Sequence, residues 1–160
     1  VSDVAALYLI NHVFNWAFAS RIGALIGRIG ERRALTFEYC GLMCVFTAYA
    51  FVDNASWAAA LYILDHLFFS LAIAIKTYFQ KIADPADMAS TAGVAFTINH
   101  IAAVIIPVLF GFIWLISPAT VFLIGTSMAA ISLLLALNIP TSPCPGNEVV
   151  VGKMPAAITT

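Results

Sequence analysis

Residues 88–116 read MASTAGVAFTINHIAAVIIPVLFGFIWLI, and this stretch decides what kind of protein the chain can be. It holds no Asp, Glu, Lys or Arg, and its middle offers only Thr97, Asn99 and His100 as polar groups. A helix needs about 20 apolar residues to cross the hydrocarbon core of a bilayer. This run exceeds that length, leaving room for a turn outside the membrane. Lipid offers backbone groups no partners, so a run of this kind must be helical.

Working outward, four more apolar stretches lie at 4–26, 35–52, 57–79 and 119–139. The composition fits them. Of 160 residues, 62% are hydrophobic and 9% are charged, and the mean hydropathy is +1.00. Soluble domains carry about a quarter charged residues. Seven Lys/Arg and eight Asp/Glu cannot solvate this much apolar surface, so the expected fold is all-α and membrane-embedded, with five spans within 1–140. The last segment, 141–160, is rich in Pro, Gly and Thr and reads as a flexible tail.

The punctuation between the stretches agrees. Asp84-Pro85 supplies an expected N-cap and a proline at the first helical position, and Ser117-Pro118 repeats the device. Asn54 or Ser56 can cap the third span. The chain opens on Val1 with no basic n-region, so no secretory signal is expected, and it reads as the downstream piece of a longer protein. Cys40, Cys44 and Cys144 give no disulfide framework, and no basic block points to nucleic acid.

Orientation follows from charge. Arg21, Arg28, Arg32, Arg33, Lys76, Lys81 and Lys153 all fall at span ends, loops or tail on one side. The other side, with Asp3, 53–56 and 116–118, has no Lys or Arg. Positive charge marks the cytoplasmic face. The C-terminus is therefore expected inside, and the cytoplasmic (inner) membrane of a bacterium is the expected location.

Between the first two spans lies Gly23-Ala24-Leu25-Ile26-Gly27-Arg28-Ile29-Gly30-Glu31-Arg32-Arg33. This resembles the short cytoplasmic loop signature of the major facilitator superfamily. Gly23, Arg28, Gly30 and Arg32 match in register, Arg33 adds a further basic residue, and Gly27 stands where the family places Asp. Residues 83–93, 96–107 and 111–114 are similar to the family's entry into helix eleven and to that helix. The resemblance implies helices eight to twelve of a permease, part of a six-helix C-terminal bundle, with the N-terminal half of the same protein as partner. It also implies that helices eight, ten and eleven border a central cavity while nine and twelve face lipid.

Polar groups inside a membrane are expensive and need a reason. The first span holds Asn11, His12 and Asn15; the third holds Asp65, His66, Ser70 and Thr77; the fourth holds Thr97, Asn99 and His100. These are the stretches that the resemblance assigns to the cavity. Asn11, His12, Asn15, Asp65, His66, Thr97, Asn99 and His100 are thus candidates for a substrate or proton pathway. Asn11, Asn15 and Asn99 have a second reading as helix-tying hydrogen bonders, and His12 as a packed neutral imidazole. Lys76 snorkels to the interface. Pro107 cannot donate to Ala103, so a helix break is expected there.

The implied function is secondary active transport of a small solute, as a symporter or antiporter, without cofactor or enzymatic step. One alternative is an intramembrane metalloenzyme using His12, His66, His100 and Asp65 as ligands, although no His-x-x-x-His pair occurs. Another is a non-transporting receptor or assembly subunit.

Overall fold

A computed structural model describes residues 2–152, including the side chains of all but 2–4, 14 and 15. The side chain of Asn15, and Lys153 with the rest of 153–160, lie outside that description. Among the described residues six α-helices follow one another: α1 (Ser2–Ile29), α2 (Glu31–Tyr49), α3 (Ala55–Phe69), α4 (Ile73–Ile82), α5 (Met88–Ile116) and α6 (Pro118–Leu137). No named strand occurs among the described residues. Among the described residues three segments are long and apolar enough to cross a membrane: Ala55–Ile82, Met88–Ile116 and Pro118–Leu137. In α1, Asn11, His12, Asn15 and Arg21 dilute the apolar run, and α2 carries Glu31, Arg32, Arg33 and Glu38 in 19 residues.

The boundaries have local causes. Asn54 Oδ1 accepts from the amides of Ser56 (2.8 Å) and Trp57 (3.4 Å) and starts α3. Ser117 Oγ accepts from the Thr120 amide at 3.3 Å, with Pro118 in the first turn of α6. At the α5 entrance the expectation needs correction. Asp84 Oδ1 takes the Ala86 amide at 2.8 Å and closes a turn, so the helix begins only after Asp87. An Asx turn has consumed the oxygen that would have capped the helix.

The third stretch is not one uniform helix. A 3₁₀ turn at Ser70–Ala72 separates α3 from α4, and Ser70 Oγ donates to the Leu67 carbonyl at 2.6 Å. By contrast α5 stays α-helical through Pro107. The change of winding falls in the third stretch, not at the proline.

Helix α2 organises the packing. Glu31, Ala34, Leu35, Glu38, Leu42 and Val45 form its buried stripe at helical spacing, and its main neighbours are α6 and α3. The resemblance implied a lipid-facing helix here; within the described chain α2 is instead the best-covered one. Small residues make this possible. The Phe68 ring fills the notch at Gly41, and a methyl added at Gly125 would lie 3.2 Å from the Phe46 ring. The core proper, Ile26, Ala34, Leu35, Leu71, Ala74, Ala136 and Ile139, gathers at the basic end of the bundle.

Helix α5 packs on α6 and buries none of its residues. Leu115 and Ile116 are 82% and 87% exposed, and Trp16 on α1 is 86% exposed. Apolar surface this extensive suits lipid or another protein face far better than water.

The segment after Pro140 does not trail free as expected. Tyr78 Oη donates to the Glu148 carbonyl at 2.6 Å, and Asn138 both donates to the Val151 carbonyl (3.1 Å) and accepts from its amide (2.7 Å). These bonds tie 141–151 to α4 and to the end of α6. A composition rich in turn residues here builds a compact loop.

Candidate substrate and proton pathway

The polar face begins where α1 meets α3. Tyr8 and Tyr62 meet edge to face, with ring centroids 5.9 Å apart. One turn beyond Tyr8, Asn11 is 4% exposed, and its Nδ2 finds no hydrogen-bond partner among the described residues. The buried Tyr62 Oη is also unpartnered among them. Buried polar groups normally find partners, and these two are left over on contacting helices.

A second regularity joins the three polar helices. His12, His66 and His100 each follow an aromatic residue by four positions: Tyr8, Tyr62 and Phe96. Each Nδ1–H donates to that residue's carbonyl, at 2.9, 3.0 and 2.9 Å. The rings also pack, with centroids 4.3 Å apart for Tyr62–His66 and 3.8 Å for Phe96–His100. In this tautomer Nε2 is the free acceptor of each imidazole.

Asp65 gives one of these histidines a special setting. Its Oδ2 lies 3.5 Å from His66 Nδ1, with the side chains 23% and 31% exposed. A proton arriving at His66 Nε2 would leave the Nδ1–H bond to Tyr62 in place and put the imidazolium beside a carboxylate.

The α5 candidates stand apart. Thr97 Oγ1 donates to the Gly93 carbonyl at 3.0 Å, and Thr97, Asn99 and His100 are all exposed. Among the described residues no hydrogen bond, ion pair or ring contact links them to α1 or α3. Among the described residues no three His, Cys, Asp or Glu side chains converge, so His12, His66, His100 and Asp65 are not brought together.

At the basic end, a single residue turns the chain from α1 into α2. Gly30 has φ +85°, a left-handed conformation that favours glycine. Its amide donates to Ile26 O at 2.9 Å, and its carbonyl accepts from Ala34 N at 3.1 Å. Gly23 and Gly27 face open space among the described residues. Arg28, Gly30, Arg32 and Arg33 border one cavity there, away from Asp65.

Three side chains lie outside the candidates drawn from the sequence. For Tyr8 and Tyr62 the available signal is the four-residue spacing to histidine. Glu38 is 2% exposed and its Oε2 has no partner among the described residues.

The chain is 28% identical over 135 residues to an uncharacterized MFS-type transporter of Methanocaldococcus jannaschii, a match covering 84% of this chain and 34% of the relative. The resemblance to the major facilitator superfamily therefore extends well past the loop motif. The chain spans about a third of the length of this curated relative. No protein-family model and no solved structure matches it.

Proposed function

We propose that the chain is the membrane-embedded C-terminal part of a major facilitator carrier, contributing helices eight to twelve. It moves a small solute across the bilayer by alternating access. In this reading α1, α2, the α3–α4 pair, α5 and α6 each cross the membrane, and the arginine-rich turn faces the cytoplasm. The likeness to an MFS-type transporter over 84% of the chain carries the reading. The polar groups of α1, α3 and α5 support it, because they fall on the stretches expected to border the cavity. Asp65 and His66 are the proposed proton carriers. Protonation can drive transport if inward- and outward-facing states bind the proton with different affinity.

Orientation is checked by cysteine labelling. A cysteine at Ala55 should react in intact cells, and one at Ile29 only after permeabilisation; the reverse pattern overturns the topology. Transport is checked with the full-length protein in proteoliposomes carrying an internal pH dye, challenged with a panel of small solutes. Solute-dependent proton flux that vanishes in Asp65→Asn supports the reading. Solute flux in both proteins with no proton movement would leave the carrier and remove the coupling.

A further inference from the structure

The cavity at the α1–α2 turn encloses 720 Å³ and is lined by Gly27–Arg33, Thr36, Lys81 and 141–143. Its charge is lopsided. Arg28, Arg32, Arg33 and Lys81 face a single acid, Glu31, and Lys81 Nζ already lies 2.6 Å from Glu31 Oε1. Among the described residues none of the three guanidiniums makes an ion pair or hydrogen bond. Like charges gathered around one hollow repel one another, and an anion seated there relieves the repulsion.

The backbone adds donors. Gly30 precedes α2 and offers no side-chain cap, and Arg32 and Arg33 in the first turn of the helix bring their amides to the border of the same cavity. The far wall is fixed in place: Asn147 Nδ2 donates to the Ser142 carbonyl at 2.9 Å, and the Tyr78–Glu148 and Asn138–Val151 bonds hold the loop on either side. Thr141 and Ser142 bring hydroxyls to that wall. Guanidinium forks, helix-start amides and hydroxyls are together the donors that tetrahedral oxyanions take.

We propose that this basic cavity binds a phosphate group, carried by an anionic lipid headgroup or free as inorganic phosphate. Arg32 and Arg33 stand at the start of α2 and supply charge and bidentate bonds; Arg28 closes the cavity from α1. The site is independent of the proton pathway, and only the lipid source rests on the membrane reading above.

The test uses the purified full-length protein in neutral detergent. One arm measures binding of radiolabelled inorganic phosphate by equilibrium dialysis. The other measures retention of short-chain phosphatidylglycerol, against phosphatidylcholine, by native mass spectrometry. R32Q/R33Q should weaken whichever ligand binds by tenfold or more, and added salt should weaken it further. Arg21→Gln, on α1 outside the cavity, should change nothing. If the double variant does not fold, the exposed Arg33→Gln alone should still weaken binding threefold or more. Phosphatidylglycerol bound without phosphate identifies the lipid source; phosphate bound identifies the free ion. Binding equal in wild type and variant, or no binding of either probe, overturns the proposal.

Discussion

Lys81 Nζ sits 2.6 Å from Glu31 Oε1, fastening the end of α4 to the first residue of α2. Burial pushes the Glu31 carboxyl up, but the hydrogen bond and charge of Lys81, with bonds from its own amide and from Thr77, together hold the group below its usual range. A carboxyl lowered by folding stabilises the protein above its ordinary value of 4.5 and loses that contribution as pH falls through the folded value. Lys81→Met strands a buried charge and should cost about 1–3 kcal/mol, less than a fully buried pair because Lys81 is half exposed. Thermal melting should show a deficit that is large at pH 7 and shrinks at pH 4. A deficit independent of pH would mean that Lys81 acts through packing.

If Asp65 carries the coupled proton as proposed, Asp65→Asn should abolish proton-driven accumulation while leaving solute exchange intact. The amide keeps the shape of the carboxyl but cannot give or take the proton. His100→Ala should weaken substrate binding or shift its pH dependence, and Lys76→Gln should do little. Uptake and counterflow in the same vesicles separate these effects. Accumulation by Asp65→Asn equal to wild type at every pH would make the pair structural.

Gly30→Ala forces a β-carbon into a left-handed conformation and should cost roughly 1–2 kcal/mol. A bulkier residue should impair transport more than expression, since the one-residue turn sets how α1 enters α2. Gly27→Asp restores the residue that the family loop carries and meets open space, so it should be tolerated. The check is the transport rate divided by the amount of protein in the membrane. Unchanged rates with bulky residues at Gly30 would reduce the turn to a connector.

Glu38→Met should raise thermal stability by about 1–3 kcal/mol, because it removes a buried oxygen that has no partner among the described residues. A stabilised variant that no longer transports would show that Glu38 is retained for function. A destabilised one would mean that the oxygen is satisfied in the full-length protein.

The elements were legible in the sequence because their causes are local. The helices follow the five apolar stretches, and Asn54, Ser117-Pro118 and Gly30 announce their own turns. Asp84 misled because an Asp before Pro suits an Asx turn as well as a helix cap. Nothing in 70–72 marks the 3₁₀ turn: no proline or glycine stands there, and the cue is one hydroxyl bond from Ser70 to Leu67. Helix pairing was the least legible. When every face is apolar, hydrophobic periodicity cannot rank partners, and the small residues at Gly41 and Gly125 decide. The candidate site was half visible. Its charges stood out against the apolar background, whereas Tyr8 and Tyr62 passed as ordinary membrane aromatics.

The rings seated on Gly41 and Gly125 work as keys on two sides of α2. To slide by one helical pitch, α3 or α6 would first have to lift an aromatic ring clear of its slot. Gradual creep along the helix axis is thereby blocked, and α2, α3 and α6 are indexed to one another like parts on a shared spindle. In the carrier proposed above, motion between alternate states would fall to the elements without such keys, and α5 is one of them: it buries none of its residues and holds to the bundle through α6.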